Sequence, residues 1–141
     1  MHIRMADLAD GDAIAALLTD LGYPVETSFL AQNLQRQLDH PDARLLVAEQ
    51  AGCVVGVISL HFIPQLALPG DFCRISYLCV SPGARGNGIG AALEARAGAL
   101  ARERGCDRIE VHCHTRRTLA HAFYARQGYT ESPKYLLKRL P

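Results

Sequence analysis

Arg85-Gly86-Asn87-Gly88-Ile89-Gly90 sets three glycines and an arginine just after Val80-Ser81-Pro82, with only Gly83-Ala84 between. Glycine removes the Cβ where a chain must bend and approach a ligand closely, and successive N–H groups in such a turn converge on one point. An apolar run, Ile75 to Val80, leads into the turn, and a long alanine-rich helical pattern leaves it. Strand, glycine turn and helix start together make a place where main-chain N–H groups hold an anion. Arg85 adds a fork of donors. Two other phosphate loops do not fit. One ends in Gly-Lys-Ser/Thr, which is missing; the other needs Gly-x-Gly-x-x-Gly, and Ala91 stands where its third glycine belongs.

Other residue types offer weaker chemistry. His112 and His114 alternate along a strand pattern, and His121 follows on the next helix. Two imidazoles on one face could hold a divalent metal, but no well-spaced carboxylate supplies a third ligand, so no metal is expected. Surface histidines, or polar lining of a pocket, are the plainer readings. The five cysteines (Cys53, Cys73, Cys79, Cys106 and Cys113) are odd in number and contain no Cys-x-x-Cys. Four sit in apolar strand-like runs and read as buried reduced thiols. Cys79 has no basic neighbour in sequence to make it a thiolate nucleophile. Arg74, Arg116 and Arg117 could meet an acidic group on a ligand, and each is equally good as a solvated arginine.

The elements that must position these groups read off the apolar spacing. Residues 2–6 form a short strand, and Asp7 caps a helix whose stripe is Ile14, Leu17, Leu18 and Leu21, ended by Gly22. Thr27 or Ser28 caps a second helix carrying Leu30, Leu34 and Leu38. The runs Leu45–Ala48 and Cys53–Leu60, joined by Gln50-Ala51-Gly52, form a hairpin. Pro64 to Gly70 is a loop whose Pro/Leu/Ala content implies packing over something apolar. Phe72–Val80 is the strand feeding the turn. The helix after it runs from about Gly88 to Arg104, burying Ile89, Leu93, Ala97 and Leu100, with Gly105 as its stop. Ile109, Val111 and Cys113 alternate with polar residues as a half-buried strand. Thr118–Gln127 is a short helix with Leu119 and Phe123 inward. Tyr129 and Tyr135–Leu140 make a last strand pair or one bent strand. The result is a mixed α/β domain with helices on both faces of one sheet.

A chain of 141 residues, 49% hydrophobic and 21% charged, is one domain's worth, spanning residues 1–141. A net charge of +1 gives no bulk electrostatic case for nucleic acid or a membrane surface. There is no signal-peptide core and nothing near the ~18 apolar residues of a membrane span, so the expectation is cytoplasmic.

Val80-x-Pro82-x-x-Arg85-Gly86-x-Gly88-Ile89-Gly90, between a strand and a long helix, closely resembles the acyl-CoA-binding motif of the GNAT superfamily of N-acetyltransferases. The order of elements agrees with that fold over essentially the whole chain. A second stretch, Arg117-x-x-Ala120-His121-x-Phe123-Tyr124-x-x-x-Gly128-Tyr129, looks like the family's C-terminal helix motif. Within the superfamily this variant resembles bacterial small-amine acetyltransferases of the aminoalkylphosphonate N-acetyltransferase type, over about Ser76 to Leu140.

The resemblance implies a single-domain acyl-CoA N-acyltransferase fold, its mostly antiparallel sheet splayed at the CoA site. It implies acetyl-CoA as co-substrate, its pyrophosphate on Arg85, Gly86, Asn87, Gly88, Ile89 and Gly90, and its pantetheine arm on main-chain groups of Leu78, Cys79 and Val80. Tyr124 matches the tyrosine that protonates the departing thiolate. Many members carry a glutamate on the strand before the turn, which activates the amine through water. Arg74-Ile75-Ser76-Tyr77 has none, with Tyr77 near where that acid would fall. His112, His114, His61 or a water chain are the candidate bases. The implied reaction is direct acetyl transfer to a small primary amine. A peptide or protein acceptor is the runner-up, a non-catalytic CoA-binding sensor is the alternative of another class, and a homodimer is left open.

Overall fold

The computed structural model describes residues 1–113, 116–132 and 135–141. Its contacts group into two compact units, Met1–Glu110 and Val111–Pro141. In the first, β1 (His2–Met5) and a single 3-10 turn (Leu8–Asp10) precede α1 (Gly11–Leu21) and α2 (Thr27–Asp39). Then come β2 (Ala43–Gln50), β3 (Cys53–Pro64), β4 (Asp71–Val80), a 3-10 turn (Pro82–Ala84) and α3 (Ile89–Glu103). The short β5 (Ile109–Val111) spans the boundary, and α4 (Thr118–Arg126) belongs to the second unit.

The sheet order is β1-β2-β3-β4-β5, with the first three pairings antiparallel. β5 follows β4 in the same direction. Asp107 N–H donates to the Asp71 carbonyl at 2.8 Å, and Cys73 N–H donates to the Arg108 carbonyl at 2.9 Å. The sheet is therefore mixed, as expected.

Helices cover both of its faces. On one, Ile14 and Leu17 of α1 and Leu34 of α2 pack on Leu45, Val47, Val57 and Cys79. On the other, α3 buries Ile89, Leu93 and Ala97. Gly56 seats that helix: a Cβ there would stand 3.0 Å from Leu93 Cδ1 and 3.1 Å from Ile89 Cγ2. Gly22, at φ 107°, closes α1. A reciprocal capping box starts the helical segment, Asp7 accepting from Ala9 N–H at 2.8 Å and Asp10 from Asp7 N–H at 2.9 Å. The buried Asp10 carboxylate also takes two bonds from Arg4, at 2.8 and 2.9 Å, which pins β1 to this corner. Those bonds hold the Asp10 carboxyl below its usual range.

Several local expectations give way. Glu26, not Thr27 or Ser28, stands at the start of α2 and makes no side-chain cap; Thr27 is the first helical residue. The loop from Pro64 to Gly70 does not cover an apolar surface. Leu66 is fully exposed and Leu68 half-exposed, because polar bonds hold the loop by its ends. Gln65 donates to the Gly70 carbonyl at 3.2 Å and accepts from Arg108 at 2.9 Å. α3 continues its buried stripe through Ala101, leaving Leu100 half-buried. β5 stops at Val111, so His112 and Cys113 lie beyond it, and His114 lies outside the described residues. Leu119 is 87% exposed rather than inward. Among the described residues no strand follows α4. Tyr129 and Tyr135–Leu140 are irregular, since an apolar pattern makes a strand only where an edge accepts its main-chain bonds.

Cys73 and Cys79 are buried, Cys106 and Cys113 half-buried and Cys53 exposed, all as free thiols. Burial above all pushes the Cys73 thiol up to about 12, so it stays protonated. Among the described residues, no helix is long and apolar enough to cross a membrane. No group of three or more His, Cys, Asp or Glu among them is placed to hold a metal.

Candidate active site

The end of β4 and the start of α3 are joined by a turn held by its own side chains. Arg85 Nε donates to the Val80 carbonyl at 3.2 Å, and Asn87 Nδ2 donates to the Ala84 carbonyl at 3.1 Å. Gly86 and Gly88 sit at φ 84° and 77°, where a side chain would be strained. Gly88 is the N-cap of α3 and offers no side-chain cap. The first bond back into the helix is from Ala92 N–H to the Gly88 carbonyl at 3.0 Å. The N–H groups of Ile89, Gly90 and Ala91 therefore have no partner within the helix, as at any helix start. A Cβ built at Gly83, Gly86 or Gly88 would meet nothing within 4 Å, so the turn is open. Ile89 buries its side chain in the core and anchors the helix end. An uncapped N-terminus of a 15-residue helix behind an open glycine turn fits a pyrophosphate.

The strand before the turn divides its groups between two sides. Ser81 N–H donates to the Val55 carbonyl at 2.8 Å, which fixes the antiparallel alternation: Cys79 and Tyr77 turn their main-chain groups to β3. Leu78 and Val80 turn theirs away from β3. The Cys79 side chain lies in the core with Val57. Of the three strand residues expected at a ligand, Leu78 and Val80 are the two whose N–H groups leave this hairpin.

Register then breaks once. Ser59 faces Tyr77 and Leu60 faces Ile75, so Ser76 is the extra residue of a bulge. Near it lies a cavity of about 160 Å³ between the helical pair and the sheet. Leu18, Leu30 and Leu34, from the leucine stripes of α1 and α2, line it together with Val25 and Phe29. Its polar lining is Tyr23, Asn33, Gln37, Ser59 and Tyr77; no lining residue is charged. The Tyr23 and Tyr77 rings meet edge to face, 5.5 Å between centroids.

A row of hydrogen bonds starts at the cavity wall. Ser59 Oγ donates to Gln37 Oε1 at 2.9 Å and accepts from Ser76 Oγ at 2.9 Å. Ser76 Oγ is also 2.9 Å from His61 Nε2. Burial foremost, then His40 and Arg74, hold the His61 imidazole below its ordinary value. Arg74, one of the arginines considered for an acidic ligand, is bonded to Glu110 at 2.9 Å and lies over the Phe72 ring. Gln37, Ser59 and Ser76 were not singled out from the chain. The available signal was Ser59 itself, a hydroxyl inside the apolar run Val57-Ile58-Ser59-Leu60.

In the second unit, Tyr124 stands on α4. Its ring meets Phe123 at 5.2 Å and Tyr129 at 5.3 Å, both edge to face, and its carbonyl ends the helix by accepting from Tyr129 N–H at 3.0 Å. His121 lies on the same helix, while His112 stacks on Tyr135 with 4.4 Å between centroids. Arg117 precedes the helix at its N-cap.

A mixed sheet between helices, its fourth strand ending in an open glycine turn, is the arrangement expected of an acyl-CoA-binding fold. The chain belongs to the acetyltransferase (GNAT) family, whose model matches residues 12–129. It is 36% identical over 136 residues to aminoalkylphosphonate N-acetyltransferase of Salmonella typhimurium, covering 93% of this chain and 86% of that one. It is 35% identical over 130 residues to mycothiol acetyltransferase of Salinispora tropica, covering 86% of this chain and 41% of that protein. A crystal structure of a transcriptional regulator from Bacillus halodurans has the same fold, with a TM-score of 0.92, 25% identity and 99% of each chain covered. Enzymes of this family use acetyl-CoA as co-substrate.

Proposed function

We propose that this acetyltransferase moves the acetyl group of acetyl-CoA directly to the primary amine of a small molecule, in a ternary complex, with residues 1–141 acting as one domain. The observation that carries the reading is the open, uncapped turn at the start of α3, on the strand whose Tyr77 lines the cavity. In this reading the N–H groups from Arg85 to Gly90, with the Arg85 guanidinium, hold the pyrophosphate. Leu78 and Val80 offer main-chain groups to the pantetheine arm, and Val80 N–H polarises the thioester carbonyl. The amine nitrogen forms a bond to that carbonyl carbon, and the C–S bond then breaks. Tyr124 delivers its phenolic proton to the leaving sulfur, which avoids releasing a bare thiolate.

The cavity bears on the acceptor. Its lining is apolar with neutral polar groups, which favours an amine with an uncharged body over one bearing a phosphonate. Free cysteines suit a reducing compartment such as the cytoplasm.

Release of free thiol from acetyl-CoA, followed with phenethylamine and with 2-aminoethylphosphonate, tests the reading. Phenethylamine should be acetylated, with a higher kcat/KM than 2-aminoethylphosphonate. Tight CoA binding with no thiol released by any primary amine would leave a non-catalytic CoA-binding module instead.

A further inference from the structure

An ammonium acceptor must lose a proton before its nitrogen can attack, and neither the glycine turn nor a thiolate-protonating tyrosine takes it. The β4 stretch Arg74-Ile75-Ser76-Tyr77 holds no carboxylate. The bulge in that stretch supplies another route.

We propose that His61 is the terminal acceptor of the amine's proton, reached from the cavity through the hydroxyls of Ser59 and Ser76. This rests on acetyl transfer to an amine bound in the cavity. Ser59 lines the cavity and is only 2% exposed, whereas Ser76 is exposed and His61 half-buried. The row therefore runs from a dry wall towards water. Its two links, Ser59 Oγ to Ser76 Oγ and Ser76 Oγ to His61 Nε2, are both 2.9 Å. The bulge makes the row possible. Ser59 and His61 are two apart on β3 and share a face, their Oγ and Nε2 3.5 Å apart, and the extra residue on β4 brings the Ser76 hydroxyl within 2.9 Å of both.

The protons balance without a co-reactant. A hydroxyl both donates and accepts, and its hydrogen rotates to suit. With the hydrogen of His61 on Nδ1, Ser76 O–H points to Nε2 and Ser59 O–H to Ser76 Oγ. A lone pair on Ser59 Oγ then accepts from the ammonium. As that N–H bond breaks, Ser59 passes its own hydrogen to Ser76, and Ser76 passes its hydrogen to Nε2. The amine is left neutral with its lone pair, both hydroxyls are restored, and the imidazolium loses its proton to water. Gln37 Oε1, 2.9 Å from Ser59 Oγ, takes the Ser59 hydrogen in the resting orientation.

The surroundings of His61 keep it in the accepting form. Ala43 faces it from β2 and Arg74 from β4, and His40 acts on it from the end of α2. Arg74 is itself paired with Glu110 of β5. Burial, His40 and Arg74 all disfavour the imidazolium, so His61 is neutral at pH 7 and the transferred proton is readily shed.

The test is kcat/KM against pH for the full chain with acetyl-CoA and phenethylamine, joined to nitrogen NMR of the His61 ring. Wild type should reach a plateau once pH rises above an apparent pKa below the imidazole value of about 6.5. H61Q should lose about 10²-fold or more at pH 7 and rise with pH towards the amine's own pKa, with acetyl-CoA affinity unchanged. S76A should lose about tenfold with the same change of profile, and it carries the test where H61Q does not fold. A plateau unchanged in both variants overturns the relay while leaving acetyl transfer intact. A His61 ring that is charged at pH 7 in the NMR spectrum overturns it whatever the activity. Wild type that acetylates no amine counts against the functional reading, and the NMR result still judges His61.

Discussion

The glycine turn and the cavity lie along one strand and are built in opposite ways. The turn is one contiguous stretch, Val80 to Gly90, and apart from the Arg85 guanidinium what it presents is main chain, shaped by the positive φ of Gly86 and Gly88. The cavity is side chain throughout, with walls from α1, the loop after it, α2, β2, β3 and β4. A main-chain site is insensitive to most side-chain changes and intolerant of anything that moves its φ angles. A side-chain site alters with every lining substitution while its scaffold stays put. If, as proposed, the turn holds acetyl-CoA and the cavity the amine, one scaffold can keep its donor end and vary its acceptor end.

The sharpest break of that comparison concerns the donor's leaving group. Tyr124→Phe removes one hydroxyl and should lower kcat by about 10²- to 10³-fold while acetyl-CoA binding changes less than twofold. Steady-state kinetics beside calorimetry with CoA separates the two. Equal losses in rate and affinity would make Tyr124 a packing residue of the ring cluster with Phe123 and Tyr129. Next in size, Gly88→Val places a β-branched residue at φ 77°. Acetyl-CoA affinity should fall about 100-fold, roughly 2.7 kcal/mol, while KM for the amine stays within twofold. A matching rise in the amine KM would show that the two ends are one structure after all.

What could be read from the chain follows the same division. The turn, its strand and α3 were legible because their signals are consecutive: apolar run, proline, glycines, alanine-rich helix. The leucine stripes of α1 and α2 were legible as buried faces. Their reading as core or pocket-roof contacts holds for Leu30 and Leu34, which line the cavity. That Ser59 and Tyr77 share it was not legible, because contact between α2 and β3 is a long-range fact. The Ser76 bulge was equally hidden, since register is set by which residues oppose each other across two strands. The Leu66 and Leu68 loop misled for a related reason. Composition suggested a cover, while the bonds Gln65 makes to Gly70 and Arg108 decide where the loop sits.

A control for both ends lies at the Arg4–Asp10 corner, whose two residues belong neither to the turn nor to the cavity lining, although Ile14 of that lining stands one helical turn beyond Asp10. Asp10→Ala removes two charge-assisted bonds and a helix-start contact, and should lower stability by about 2 kcal/mol, read as a drop in urea midpoint. Because Arg4 depresses the Asp10 pKa below 3.8, the carboxylate's contribution is complete above that unfolded value. It is lost as pH falls through the lower folded value, so wild type and D10A should converge in stability only in strong acid. Catalytic constants at pH 7 should not change. A shift in either KM would mean that this corner reaches one of the two ends.

The smallest effect is the one that most directly probes the proposed acceptor end. Asn33 is a neutral polar residue of the cavity wall, on α2. Asn33→Arg introduces a cation into a wall that otherwise carries none. An amine with an uncharged body gains nothing from it and loses volume, whereas a phosphonate gains a charge-assisted fork. The ratio of kcat/KM for phenethylamine over 2-aminoethylphosphonate should fall about tenfold, with acetyl-CoA affinity unchanged because the turn shares no wall with Asn33. An unchanged ratio, with both amines still acetylated, would place the acceptor outside this cavity. In that case the division between a fixed donor end and a variable acceptor end would need a different second site.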